Sequence, residues 1–482
     1  MRLRPMRSLF IPVSLALAVL SGCAIGPNYR RPQFPLPDQF RGAPLPNVPN
    51  VPNAPNAPGA VSLADTKWQD LFHDQTLNQI VTTALEKNFD LQIAAERVQQ
   101  ARAQLGITRA NQYPFLDVQA GFAATHPSSF GANRFVPPGT DLSVAYTRLG
   151  AALSWELDVW GRLRRLTEAA RAQYLASQEG RSAVTVSLIS EVMSSYLQLL
   201  EQDLELDISH RTGGLALDSV RLVGLRRQAG AASGLDLRQA EQLQFTAAAQ
   251  VAAAERNIAQ TENALSLLQG NIPAAQPRGR KLEEIAIPAQ LPPGSPSELL
   301  ARRPDIREAE QNLIAANAEI GAARALYYPQ LSLSALAGAE SRSLFSLATA
   351  PARVYTVAPS ALQSIFHAGQ IRNQVRATES QQRQLLIAYQ RTIYTALRET
   401  SDALTGFDRT REQRTQQEQL VRTLQDTVRL SEVRYRGGLD SFLQVLDAQR
   451  NLFSGELGLA QLRLQERLAV VQLYRVLGGG WS

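Results

Sequence analysis

The sequence predicts a mainly α-helical protein with four transmembrane β-strands per chain, built by duplication of one unit. Three observations predict it. Landmarks of the first half recur in order in the second, short alternating segments follow two Tyr-Pro pairs, and two helical stretches far exceed ordinary helix length. The duplication is read from three alignments. Gly106 to Pro114 aligns with Gly321 to Pro329 at a shift of 215. Gly161-Arg-Leu-Arg aligns with Gly369-Gln-Ile-Arg, and Ala229 to Ala240 with Gly437 to Ala448, both at a shift of 208.

The elements follow in order. Arg2, Arg4 and Arg7 precede an apolar run from Leu9 to Leu20, which has signal-peptide length and is too short to span as a helix. It ends in Leu20-Ser21-Gly22-Cys23, which resembles a bacterial lipobox, so Cys23 is the expected site of an S-diacylglycerol and an N-acyl group. Cleavage there lowers the net charge from +6 to +3, because residues 1–22 hold three arginines and no acid. Ala24 follows where Asp would favour inner-membrane retention, which points to the outer membrane. Residues 24 to about 62 are Pro-rich, with four Asn-x-Pro triplets from Asn47 to Pro58, and read as an extended tether in polyproline geometry.

Each repeat opens with a helix, expected over Leu77 to Asn111 and Ser297 to Ala325, that a Tyr-Pro pair stops. In Phe115 to Ala124, Leu116, Val118, Ala120 and Phe122 share one face, and Asp117 and Gln119 the other. In Tyr146 to Asp158, Thr147, Leu149, Ala151, Leu153, Trp155 and Leu157 oppose Arg148, Ser154, Glu156 and Asp158. Leu331 to Gly338 and Val354 to Leu362 repeat the pattern more faintly. Such segments, apolar on one face and polar on the other, carry the signature of membrane β-strands. Four strands of a soluble sheet would leave two open edges.

Long helices are expected over Gly161 to Gln228 and Gln370 to Arg436, each reaching about 100 Å at 1.5 Å per residue. Return helices are expected over Leu235 to Gln269 and Phe442 to Leu477. On the first long helix, Val186, Ile189, Met193, Leu197, Leu200, Leu204 and Ile208 form one apolar stripe. Val184, Leu188, Val192, Tyr196 and Leu199 form a second, with Ser187, Ser194, Gln198, Glu201 and Glu205 elsewhere. Two adjoining seams suit a helix with a neighbour on each side, as in the wall of a helical cylinder. The expected divisions are a leader at 1–22, a tether at 23–66, repeats at 67–270 and 297–482, and a linking segment at 271–296.

Composition excludes other classes. No window beyond the leader has the ~18 apolar residues of a spanning helix, so a polytopic helical membrane protein is excluded. Charges are interspersed, which gives no nucleic-acid patch. His73, His126, His210 and His367 show no metal spacing, and no phosphate loop, dinucleotide fingerprint or nucleophile elbow is present, so neither an enzyme nor a cofactor is indicated. Because membrane barrels need at least about eight strands, two or three copies must combine, and strand counting does not choose between them.

The chain resembles the TolC/OprM family of outer-membrane efflux proteins. The resemblance rests on Cys23 to Pro32, Trp68 to Leu77, Arg302-Arg-Pro-Asp-Ile-Arg307, Tyr328 to Leu333, and Arg434 to Gln449. It implies a homotrimer with one twelve-stranded barrel in outer-membrane lipid, a long helical tunnel across the periplasm, and a mixed equatorial region at Asn271 to Pro296. It also implies a TolC-like exit duct for small molecules such as drugs, working with a periplasmic adaptor and an inner-membrane RND-type transporter. Gly230, Ser233, Gly438 and Ser441 then mark the adaptor-contact tips, where Gly permits a tight reversal and Ser can cap the next helix. Leu443, Asp447 and Arg450, about one turn apart, mark the periplasmic gate. The chain has Gln444 where some members carry a second acid, so one carboxylate ring is weaker or absent. A type I protein-secretion duct uses the same architecture, and a coiled-coil scaffold would lack the amphipathic strand pairs.

Overall fold

The computed structural model describes residues 24–42, 62–127, 143–287 and 291–479. The leader, Cys23, the whole Asn-x-Pro run and most of the loop from His126 to Thr140 lie outside them. Helices α1 (Gln75–Lys87) and α2 (Phe89–Ala110) lead into strands β1 (Phe115–Thr125) and β2 (Val144–Leu157). Helices α3 (Arg162–Gln228) and α4 (Gly234–Leu268) complete the first repeat. The second holds α5 (Leu299–Arg302), α6 (Pro304–Ala325), β3 (Gln330–Ser341), β4 (Arg353–Leu362), α7 (Gln370–Arg436) and α8 (Phe442–Val476). Helices α3 and α7 have 67 residues each, α4 and α8 35 each, so the duplication holds to the residue.

Two expected helices are broken. The first splits at Asn88, whose backbone is extended. Its side chain accepts from the Leu91 amide at 3.0 Å and donates to the Leu268 carbonyl at 2.9 Å, so it caps α2. The second splits at Arg303, which Pro304 holds in extended geometry.

Contacts divide the chain into two compact units. One comprises Met1–Pro32, Gln99–Ala176 and Glu310–Ala388; the other comprises Gln33–Val98, Ser177–Ala309 and Tyr389–Ser482.

The first unit holds an antiparallel sheet in the order β1-β2-β3-β4. Its register joins the two faces read from the sequence. Leu116, Val118, Ala120 and Phe122 pair with Leu153, Ala151, Leu149 and Thr147, and these continue onto Ala335, Ala337, Ala339 and Ser341 of β3. Pro359, Val357 and Tyr355 of β4 complete an apolar face on which Val118 is 80% and Tyr355 83% exposed. The opposite face carries Asp117, Gln119, Ser154, Ser332, Ser360 and the Arg148–Glu340 ion pair at 2.6 Å. Burying neither face within one chain is what a sheet between lipid and water requires. At the Tyr-Pro junctions, the Trp155 indole donates to the Gln112 carbonyl at 3.1 Å and the Trp160 indole to the Pro329 carbonyl at 2.8 Å. Trp160 also stacks on Tyr328 at 4.9 Å.

The start of the expected tether is pinned. Arg165 donates to the Ile25 carbonyl at 3.2 Å and to Asn28 Oδ1 at 2.8 Å, and Asn317 donates to the Pro27 carbonyl at 2.9 Å. These residues form no helix or strand, as the prolines demand, yet they are held along their length.

In the second unit the stripe residues Ile189, Val192, Met193, Tyr196, Leu197 and Leu199 are all buried. Asp74 organises the linking segment. Its carboxylate accepts from the Thr76 and Leu77 amides at 2.8 and 3.1 Å, capping α1, and from the Tyr196 hydroxyl and the Arg280 amide at 3.3 Å each. Burial pushes the Tyr196 phenol up to about 12. Arg303, in the run Arg302 to Arg307, donates to the Val476 carbonyl at 3.0 Å and pairs with Asp305 and Glu399 at 2.7 and 2.9 Å, which ties the end of α8 to α6 and α7.

Glu201, expected on a polar face, is instead 6% exposed. Burial, followed by the neighbouring Glu205 carboxylate, pushes it up to about 8. A carboxyl raised in the folded state is most favourable when protonated, so its contribution is complete below the ordinary carboxylate value and is lost as pH rises through about 8. The melting temperature is expected to fall between pH 5 and 8, and Glu201→Gln to flatten that slope. An equal slope in the variant would contradict the assignment.

Candidate docking tips and aperture

Two reversals of chain lie in the second unit. After α3, Gly230 takes φ +73°, its amide donates to the Arg227 carbonyl at 3.0 Å, and the Ala231 amide donates to the Arg226 carbonyl at 2.7 Å. After α7, Gly438 also takes φ +73°, with matching bonds to Tyr435 and from Leu439 to Arg434, both 3.0 Å. Each is a Schellman ending, which needs a left-handed residue after the helix. A side chain at either glycine would meet open space, so conformation and not packing selects glycine at both.

The turns enter their return helices differently. Ser233 accepts from the Asp236 amide at 3.1 Å, and Asp236 accepts from the Ser233 amide at 2.8 Å, a reciprocal capping box. Ser441 makes no such side-chain bond, which corrects the expected cap at the second tip. The position matching Asp236 is Gln444. That tip is closed instead by Arg434 and Asp440, paired at 2.5 Å across the turn. The Arg434 guanidinium holds the Asp440 carboxyl below its ordinary value.

The two hairpins are joined near their tips. Ala216, Val223, Ala240 and Leu243 of the first pack with Tyr435, Phe442, Val445 and Leu446 of the second. Arg226 lies over the Tyr435 ring at 4.4 Å, a cation–π contact between the hairpins. Around this cluster Leu225, Leu235 and Leu439 are more than half exposed. Sequence reasoning assigned no role to Arg226, Arg434 or Asp440, although the last two flank the Gly-Gly turn in a run it had singled out.

Leu443, Asp447 and Arg450 share the exposed face of α8, while Phe442, Val445, Leu446 and Ala448 are buried on the other. The Asp447 carboxylate accepts from Asn451 at 3.2 Å, and among the described residues no ion pair joins it to Arg450. The carboxylate is thus left facing outward, positioned by an amide one turn away.

The profile of the outer membrane efflux protein family matches residues 80–271 and 295–479. A solvent efflux pump outer membrane protein, SrpC of Pseudomonas putida, is 36% identical over 469 residues, covering 97% of both chains. A probable outer membrane lipoprotein, SilC of Salmonella typhimurium, is 34% identical over 96% of this chain and 97% of its own. The solved structure of the outer-membrane channel OprN aligns with a TM-score of 0.86 at 29% identity, over 95% of this chain and 100% of that one.

Proposed function

This chain belongs to the outer membrane efflux protein family, and on that premise we propose how its parts divide the work of an exit duct. It is an outer-membrane component of an efflux system with the fold of the trimeric TolC-like channels. In our reading no step is catalytic: a periplasmic adaptor docks on the two glycine turns, an inner-membrane RND-type transporter supplies the energy, and small molecules pass through. The observation that carries this assignment is the pair of matching left-handed turns at Gly230 and Gly438, ringed by exposed leucines and fixed side by side by one apolar cluster. A photo-crosslinking amino acid in place of Leu439 tests it in whole cells. The adaptor protein is expected in the crosslinked product by mass spectrometry. Adaptor crosslinks from the Tyr355 position but none from Leu439 would overturn the docking assignment.

Leu443, Asp447 and Arg450 form the aperture in this reading. Three symmetry copies of Asp447 make a ring of carboxylates that attracts cations, with Leu443 as an apolar constriction. The outward-facing, amide-held carboxylate supports it. Asp447→Ala is expected to lower cation selectivity of single channels in planar bilayers, and an unchanged reversal potential would remove the ring from the mechanism.

Cys23 is the lipid anchor. Supporting this are the lipobox run from Leu20 and the likeness to a probable outer membrane lipoprotein. Cys23→Ala is expected to abolish incorporation of labelled fatty acid, and a labelled variant would refute the assignment.

A further inference from the structure

The two β-hairpins match in register without offset. Advancing β1 by 215 and β2 by 208 turns the pair Phe115–Ser154 into Gln330–Leu362, and each remaining pair of the second hairpin follows. The β2–β3 pairing is therefore a template for the seam that one chain lacks. Strand β4 repeats β2, and β1 repeats β3. In the single chain the outer edges of β1 and β4 have no strand partner among the described residues. Within lipid those edges need backbone partners, and strands of a second copy supply them in a closed ring.

We infer that the seam between copies repeats the β2–β3 register. Leu153–Ala335 then becomes Ala361 opposite the next copy's residue 120, and Leu157–Leu331 becomes Ile365 opposite its residue 116. Two features of the single chain agree. The first is facing: Ala361 and Ala120 both lie on the apolar face, whereas a slip of one residue would set apolar against polar. The second is strand length. Trp155 to Leu157 extend β2 beyond its last partner on β1 and are held by β3 alone. Their counterparts Gln363 to Ile365 follow the end of β4 and lie in no strand, with Ile365 96% and Phe366 85% exposed. Pairing with Val118 to Leu116 of the next copy adds these residues to β4. It sets Ile365 beside Leu116 on the lipid face, the last rung that the β2–β3 template supplies.

The inference rests on the trimeric channel reading, and disulfide mapping tests both separately. The natural chain has one cysteine, Cys23, so engineered pairs stand out. Ala120→Cys with Ala361→Cys, and Gln119→Cys with Leu362→Cys, sample adjacent rungs of the antiparallel ladder, so one of them is the closer type. Opposite Cβ atoms lie about 4.5–5.5 Å apart and diagonal ones ~7–8 Å, so about fivefold more crosslinked trimer is expected from the better of these than from Val118→Cys with Ala361→Cys. The single variants are expected to give none. Preferential crosslinking of the shifted pair, or no crosslinking in material that migrates as a native trimer, overturns the register. A natural chain that migrates as anything but a trimer overturns the channel reading and the seam with it.

Discussion

Gly338→Val is expected to abolish folded trimer in the outer membrane, seen as loss of the slow-migrating species on unheated denaturing gels. Gly338 of β3 faces Gly150 of β2 across the ladder. A Cβ built there lies 2.3 Å from the Leu149 carbonyl oxygen and 2.5 Å from the Gly150 Cα. Both contacts are with backbone, so no rotamer change relieves them. The two central strands must part, with a cost above the ~1–3 kcal/mol usual for overpacking and loss of the ladder bonds on either side. Ala337→Val, one residue away on the exposed apolar face, serves as the control and is expected to assemble normally. Normal trimer from Gly338→Val would show that the strands are not so closely apposed.

Gly438→Leu is expected to abolish efflux while trimers assemble, measured as drug susceptibility against trimer yield. The site is open and the strain of a left-handed leucine costs about 1–2 kcal/mol, too little to unfold helices of 67 and 35 residues. In the proposed docking assignment, what the leucine disturbs is the turn and the surface offered to the adaptor. Asn tolerates the left-handed region, so Gly438→Asn separates the two effects. If it restores efflux, backbone geometry is the cause; if it fails, close approach of a partner is. Full efflux by Gly438→Leu would count against docking at this tip.

Much of this fold was legible because its signals are punctuated. Tyr-Pro pairs stop helices, glycine turns reverse them, and strict alternation set both faces of β1 and β2, so those boundaries fall within a few residues. The break at Arg303 also carries a local signal, Pro304, which bars helical geometry from the residue before it as at the Tyr-Pro pairs, although the expected helix over Ser297 to Ala325 ran through it. The break at Asn88 was not legible, because an Asn inside a periodic run reads as helix until its partner, the Leu268 carbonyl remote in sequence, is known. Glu201 misled for the same reason: a single carboxylate beside two apolar seams looks solvated, and only packing shows it buried. At the tips, glycine and serine positions were readable, but the exchange of a capping box for the Arg434–Asp440 pair needed coordinates. Nothing local in the sequence distinguishes an ion pair across a turn from two solvated charges.

The matching hairpins carry a consequence for how the chain has diverged since it doubled. Between β1 and β2 there are 18 residues and between β3 and β4 there are 11, and this difference of seven is the whole change in shift from 215 to 208. Not one residue has been gained or lost within a paired stretch. A single insertion there would exchange the lipid and lumen faces of everything beyond it. Within the two hairpins the difference in length is therefore confined to the loops that join their strands, the one place in the sheet where residues can be added or removed without moving any paired residue to the opposite face.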